Sequence, residues 1–254
     1  MSNSEIAQSS PEFGGSMFLY SKPALLTKKD HADMGLSQPD RPFDFVKSIK
    51  GLPLVTSEVQ TAQKHYPVIF SDFENPMLIA VVGIIDENNL FVSDNGEWDK
   101  NSYIPSYARC HPFALAARTE EDFAVVIDES SNSISETPEI PFFDGDDLTD
   151  AVQARIDFCG HFNAEQKRTR EFCQKVMDLG LLNGQRVTQK MPDGSEVKIA
   201  DYVSVDPTKL NGLNKDTLQE LHQNGSLAAI FAQLFSLENW NRLIVRRDAQ
   251  LGIN

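Results

Sequence analysis

The residues best suited to recognise a ligand lie in one short stretch: Trp98, Tyr103, Tyr107, Arg109 and His111. We call these five residues the rim. From position 103 to position 111 they occupy odd-numbered positions, so an extended segment would place them on one face. Amphipathic aromatic rings beside a guanidinium suit recognition of a peptide or a small anion, and we therefore predict a binding site here. The alternative is that the rings cap a sheet and that Arg109 pairs with the acidic segment 119–150.

A second candidate is a metal site on a helix predicted to begin near Leu148. His161 and Glu165 are four residues apart, so both side chains could reach one ion, but a complete site needs a third ligand. The alternative is a solvated pair. Residues 144–147, DGDD, begin like a calcium loop, yet the twelfth position is Arg155 instead of glutamate. A helix cap explains these aspartates better, and we predict no metal site.

The chain contains no complete catalytic motif. Cys110 and His111 are adjacent, and neighbouring side chains diverge on a strand, so they are poorly placed as nucleophile and base. We find no nucleophile elbow, no phosphate-binding glycine loop and no dinucleotide fingerprint. The catalytic residues are therefore unknown, no cofactor is predicted, and a metal-dependent enzyme using His161 and Glu165 is kept as the alternative function.

Composition excludes some partners. The formal net charge is −14, and without a basic surface a nucleic acid is not expected to bind. The longest apolar run, residues 76–85, is too short to cross a bilayer as a helix, which takes about 20 residues. The three cysteines form no CxxC pair, which is typical of a reducing compartment, and we expect a cytoplasmic protein.

The pattern of apolar residues predicts an α+β fold. A mostly antiparallel sheet fills the N-terminal half, and a long helix, a hairpin and C-terminal helices pack on it. The predicted strands include a short one ended by Pro23, one at residues 43–48, an edge strand at 52–55 that contains Pro53, a central strand at 77–85, and a third strand at 202–205 after the hairpin. The predicted helix N-caps include Thr56 or Ser57, Asn214 and Ser236. Residues 1–16 are predicted to be a disordered tail and residues 17–247 one domain; two lobes, β-rich 17–147 and helical 148–247, are the alternative. Residues 226–235, SLAAIFAQLF, form a helix that is apolar on nearly every face, so it is buried or lies in an interface, including that of a homo-oligomer.

Several short motifs occur in a characteristic order. They are YPVIF at 66–70, Trp98 followed by YIPSY at 103–107, Pro112-Phe113, Ile127-Asp-Glu129, Arg168-Thr169 with Phe172, Leu181-Leu182, Asp193-Gly194, and the C-terminal run from Asp206 to Asn239. Over about residues 17–245 the chain resembles the bacterial SapC family, which is linked by name to surface-layer protein secretion. It departs from the family pattern at residues 108–111, where more arginine is expected before Pro-Phe.

The resemblance implies an accessory role and supplies no catalytic residues. Relatives are often encoded beside tryptophan-halogenase-like flavoproteins, so the partner implied is such a protein or a secretion-associated one. A transporter permease carries the same label, but a permease needs several spanning helices and this sequence has none. We therefore expect a non-catalytic binding protein that recognises a protein or peptide through the rim and residues 226–235.

Overall fold

The structure, a computed structural model, describes residues 17–85, 88–117, 123–191 and 194–252. The predicted disordered tail, residues 1–16, lies outside the described residues. The chain divides into two compact units. Unit 1 contains residues 17–39 and 110–160, and unit 2 contains residues 40–109 and 161–252. The single domain of residues 17–247, with its two-lobe alternative, stays a prediction.

The predicted α+β class is confirmed by the order of helices and antiparallel strands. The strands are β1 (Pro23–Leu25), β2 (Gly35–Leu36), β3 (Gly51–Pro53), β4 (Val68–Phe70), β5 (Leu78–Val81), β6 (Phe113–Ala117), β7 (Phe123–Asp128), β8 (Ile134–Ser135), β9 (Ile140–Pro141), β10 (Phe143–Asp144), β11 (Asp147–Leu148), β12 (Leu182–Lys190) and β13 (Glu196–Val205). The α-helices are α1 (Lys28–His31), α2 (Thr56–Ala62), α3 (Ser106–Cys110), α4 (Asp150–Asp178), α5 (Pro207–Asn211), α6 (Lys215–Gln223), α7 (Ser226–Ser236) and α8 (Asn239–Leu251).

Unit 1 is built from small antiparallel sheets with the strand orders β1-β7-β6, β8-β2-β9 and β10-β11. Its core includes the rings of Phe113 and Phe142, which meet edge to face with centroids 5.9 Å apart. We predicted that a strand would end at Pro23, and this is wrong because Pro23 begins β1. At the first position of an edge strand the missing N–H of proline breaks no ladder hydrogen bond.

Unit 2 contains a five-stranded antiparallel sheet with the order β12-β13-β4-β5-β3. The apolar run forms β5 inside this sheet and β3, with Pro53, lies at its edge, as predicted. The predicted hairpin is confirmed as β12 and β13, although residues 192–193 of its turn lie outside the described residues. A separate third strand at residues 202–205 is wrong, since these residues continue β13 and pair with β4 through Val203 and Phe70.

The predicted strand at residues 43–48 is also wrong, because Asp44–Val46 form a 3₁₀ helix. Side chains three residues apart lie on the same side of a 3₁₀ helix, so Phe43 and Val46 can face inward together. Val46 is fully buried, and the Phe43 ring packs against Trp98 with centroids 5.6 Å apart. A short alternation of apolar and polar residues fits either structure, and packing on Trp98 decides between them.

The predicted long helix is confirmed as α4, which spans 29 residues. The C-terminal helices α6 and α7 also form as predicted, with Asn214 capping α6 through its side chain. Ser236 was predicted to cap the last helix, but it is the final residue of α7, and α8 begins at Asn239. The Ser236 hydroxyl instead accepts the Val68 N–H of β4, at 2.8 Å, and so ties α7 to the sheet.

Candidate functional site

The rim does not form one extended face. Residues 106–110 fold into the short helix α3, with Arg109 N–H donating to Pro105 C=O at 3.2 Å. Pro105 suits the start of a helix, because its fixed φ matches the first turn and its missing N–H is not needed there. On this helix, side chains two positions apart, such as those of Tyr107 and Arg109, do not share a face as they would in an extended segment. Four of the five rim residues belong to unit 2, and His111 belongs to unit 1.

Trp98 and Tyr103 lie mostly inside unit 2. The indole of Trp98 is 5% exposed and stacks on Phe91, with ring centroids 6.2 Å apart. The Tyr103 hydroxyl donates to the Glu58 carboxylate at 2.7 Å, and burial together with that carboxylate raises the pKa of Tyr103 to about 12. Both side chains therefore support the surface of unit 2 mainly by packing and hydrogen bonding beneath it.

Glu58 holds the segment that carries Tyr103 and α3. Its side chain, 6% exposed overall, accepts the Tyr103 hydroxyl, the Ser106 N–H at 2.6 Å and the Val55 N–H at 3.1 Å. Reaching back to Val55, it satisfies a free donor at the start of α2. We predicted Thr56 or Ser57 as the N-cap of that helix, and this is wrong because Val55 occupies the N-cap position.

Tyr107 and Arg109 are the more accessible rim residues. The Tyr107 ring is half-buried and packs against Phe162 of α4 with centroids 5.8 Å apart. Arg109 is exposed on α3. These two side chains lie at the surface of unit 2, and the binding role of the rim stays a prediction.

His111 lies in a buried hydrogen-bonded group of unit 1. Its side chain is 5% exposed, its Nε2 lies 3.3 Å from an Asp128 oxygen, and its ring packs on Tyr20. Burial lowers the pKa of His111 although Asp128 opposes the shift. Asp128 also accepts backbone N–H groups of Ser21 and Lys22, at 3.1 and 2.9 Å. These bonds join β1 to the end of β7, so they hold unit 1 together.

The pair proposed for a metal lies at the surface of α4. His161 is exposed on α4, and Glu165 forms an ion pair with Arg168 at 2.6 Å. Among the described residues no group of three or more His, Cys, Asp or Glu side chains is placed to hold a metal ion. The metal-dependent alternative therefore lacks its third ligand in that part of the chain.

Unit 2 contains a polar cleft that the sequence did not predict. It has a volume of about 160 Å³ and is lined by His65, Phe91, Asp99, Asn101, Ser102, Arg242, Leu243 and Arg246. The Arg246 guanidinium forms an ion pair with Asp99, and its central carbon lies 4.2 Å from the centre of the Phe91 ring. Position 99 directly follows the predicted rim residue Trp98, but no motif links it to α8.

Helix α7 presents two different faces. Ile230 and Gln233 are fully buried on the face that contacts the sheet, whereas Phe231 is 41% exposed and Phe235 is 64% exposed. The two exposed rings stack on each other, with centroids 6.0 Å apart and an interplanar angle of 23°. We call Phe231 and Phe235 the aromatic pair. One side of this helix is thus buried, and the prediction that it lies in an interface stays a prediction for the exposed side.

Comparison with known proteins identifies a family. The sequence profile described as SapC matches residues 26–243 of the 254-residue chain. No curated protein and no solved structure matches the chain. Within the described residues no helix is both long enough and apolar enough to span a membrane.

Proposed function

The chain belongs to the SapC family, and on that premise we propose that it is a non-catalytic accessory protein that binds another protein. The observation that carries the proposal is the aromatic pair on α7. Large apolar patches on a protein surface are commonly interaction sites, and aromatic side chains contribute more than most to the binding energy of an interface. The partner we propose offers an apolar groove that takes the Phe231 and Phe235 rings.

The fixed position of α7 supports this role. The Gln233 amide donates to Val68 C=O at 2.9 Å and accepts the Val205 N–H at 3.3 Å, so it bonds to β4 and β13 together. These bonds hold the opposite face of the helix outward. An aromatic pair on a rigid helix loses little conformational entropy on binding, which favours affinity.

Tyr107 and Arg109 are proposed as further contact residues, although residues two positions apart on a helix do not share a face and each would make its own contact. A partly exposed tyrosine and an exposed arginine are residue types enriched at interfaces. Trp98 and Tyr103 are proposed as residues that shape the binding surface of unit 2, and His111, which belongs to unit 1, stays a proposed binding residue of that unit. The partner class implied by the family resemblance, a tryptophan-halogenase-like or secretion-associated protein, and the cytoplasmic location stay proposals.

Affinity purification of the tagged chain from its own host tests this function. The double variant Phe231→Ser/Phe235→Ser is expected to lose a stoichiometric partner that the unaltered chain retains. Phe73→Ser is the matched control, because Phe73 is 50% exposed and lies outside α7. The proposal fails if the double variant retains the partner, or if the unaltered chain carries none.

Mass measurement by light scattering separates this function from self-association. If the unaltered chain is an oligomer and the double variant is a monomer, α7 is the interface of a homo-oligomer, the alternative already considered for residues 226–235. A monomeric unaltered chain that captures a different protein supports the accessory function. Circular dichroism of each variant shows whether it is folded.

A further inference from the structure

The cleft in unit 2 contains an arginine whose charge the described protein does not neutralise. Arg242 and Arg246 both line this cleft and stand one turn apart on α8. Arg246 is paired with Asp99, while no carboxylate of the described residues forms an ion pair with Arg242. The two arginines therefore have different roles, and Arg242 is the one available to a ligand.

The ion pair of Arg246 and Asp99 contributes no net charge to the lining of the cleft. Beyond their ion pair, Asp99 accepts the Asn101 N–H at 3.0 Å and the Ser102 hydroxyl at 3.1 Å. Burial opposes ionisation, but the hydrogen bond from Arg246 and those of the loop hold the pKa of Asp99 below its usual value. The carboxylate is thus ionised and compensated, and it does not cancel the charge of Arg242.

Arg242 is held in position by its neighbours. Its Nη1 donates to Lys64 C=O at 2.8 Å and to Asn239 Oδ1 at 3.2 Å. Asn239 is itself buried and donates to Tyr66 C=O at 3.1 Å. The guanidinium is therefore fixed through one nitrogen, while its Nε and Nη2 have no hydrogen-bond partner among the described residues. Fixed donors of this kind bind an anion with less entropic cost than a mobile side chain.

His65, which also lines the cleft, adds a hydrogen-bond donor without adding negative charge. Burial lowers the pKa of His65, and the nearby charges of Arg242 and Lys64 lower it further. At neutral pH its ring is therefore uncharged and offers one N–H and one acceptor nitrogen. With Asp99 compensated by Arg246, the cleft has a net positive charge in a chain whose formal charge is −14.

The size of the cleft limits its ligand. Its volume is about 160 Å³. Pockets for complete cofactors are larger, about 300–1,000 Å³. The fork of a guanidinium matches the two oxygens of a carboxylate. We infer that the cleft binds one carboxylate group of a small organic acid or of a peptide, with Arg242 as its anchor and His65 as a further donor.

Titration by NMR, with acetate as the probe, tests this inference. At constant ionic strength, with chloride as the reference anion, acetate is expected to shift the Arg242 Nε–H and Ser102 amide signals in a saturable way. Arg242→Gln should weaken binding by roughly ten- to a hundredfold, the worth of a charged hydrogen bond. Arg168→Gln removes the same charge from α4 outside the cleft and should leave binding unchanged.

Two peptides distinguish the sources of the carboxylate. Tetraalanine with a free carboxyl terminus should bind, and its amidated form should not. Tighter binding of tetraalanine than of acetate identifies a peptide terminus as the ligand class, and the reverse order identifies a small acid. This inference does not depend on the aromatic pair, so loss of partner binding in the α7 double variant leaves it standing.

Several results would overturn the inference. They are unmoved Arg242 and Ser102 signals in the unaltered chain, equal shifts with chloride, equal binding of the amidated peptide, and unchanged affinity in Arg242→Gln. The first readout needs no variant, so it decides the matter even if Arg242→Gln does not fold. Arg242→Lys keeps the positive charge but lacks the paired N–H donors of the guanidinium. Its affinity for acetate should therefore lie between that of the unaltered chain and that of Arg242→Gln.

Discussion

Replacing Glu58 with glutamine is expected to destabilise unit 2 by about 2–4 kcal/mol. The carboxylate is buried and accepts three donors: the Val55 N–H, the Tyr103 hydroxyl and the Ser106 N–H. Glutamine has nearly the same shape, but one of its oxygens becomes an NH₂ group. In either orientation of the amide, that group faces a backbone N–H. A buried donor left without an acceptor costs about 1–3 kcal/mol, and losing the charge weakens the remaining bonds.

The contact between Glu58 and Tyr103 can be isolated in a double-mutant cycle. Tyr103→Phe removes one hydrogen bond to a charged group, which is worth about 1.5–3 kcal/mol. Glu58→Gln removes the charge from this bond, so the charged part of its worth is lost in both single variants but only once in the double variant. The combined loss should therefore be smaller than the sum of the single losses by about 1 kcal/mol or more.

Urea unfolding followed by tryptophan fluorescence measures these losses. Both tryptophans, Trp98 and Trp240, belong to unit 2, so the signal reports that unit. Glu165→Gln is the matched control, because the Glu165 carboxylate pairs with the exposed Arg168 and its loss should change stability by less than about 0.5 kcal/mol. A Glu58→Gln variant as stable as this control, or a cycle without coupling, would refute the reasoning.

Three further predictions concern buried polar groups. Tyr103 should ionise near pH 12. The stability that its neutral hydroxyl contributes is therefore complete below about pH 10 and is lost as the pH rises toward 12. Ultraviolet titration of tyrosinate should show this ionisation step in the unaltered chain and not in Tyr103→Phe. Asp128→Asn should cost about 2–4 kcal/mol at pH 7. Burial opposes ionisation of Asp128, but hydrogen bonds led by that of Ser130 lower its pKa. The difference in urea midpoint, followed by circular dichroism because both tryptophans lie in unit 2, should therefore shrink as the pH falls below about 4. Gln233→Leu removes the acceptor of the buried Val205 N–H and the shorter of two side-chain bonds to Val68 C=O, which keeps the Ser236 hydroxyl at 3.4 Å. The change should cost about 1–3 kcal/mol, and a fluorescence midpoint equal to that of the unaltered chain would contradict this.

The elements that the sequence predicts well are those whose signal lies within the element. Helix α4 follows from its apolar stripe, and α6 follows from Asn214 before it and Gly225 after it. The hairpin of β12 and β13 follows from its turn residues and alternating strands. In each case the hydrogen bonds that define the element connect residues close in sequence, so local pattern is sufficient.

The errors occur where distant contacts decide local structure. Odd-numbered spacing between Tyr103 and His111 predicts an extended segment, but the Glu58 carboxylate holds Ser106 N–H and α3 forms after it. Glu58 lies 48 positions from Ser106 in the chain. Ser236 has the residue type of a helix cap, but its hydroxyl bonds to β4. A polar side chain near a helix end therefore has several uses, and tertiary position selects among them.

The prediction of ligand-binding residues from the sequence has the same limit, and the cleft is an example. Arg242 and Arg246 are the same residue type one turn apart, so the sequence gives them equal weight as anion-binding residues. Only the fold brings Asp99 to Arg246 and leaves Arg242 with backbone and amide acceptors. An arginine that a carboxylate neutralises no longer serves to bind an anionic ligand. It also no longer repels a neighbouring arginine. The value of a charged residue for binding therefore depends on which opposite charges the fold has already assigned to it.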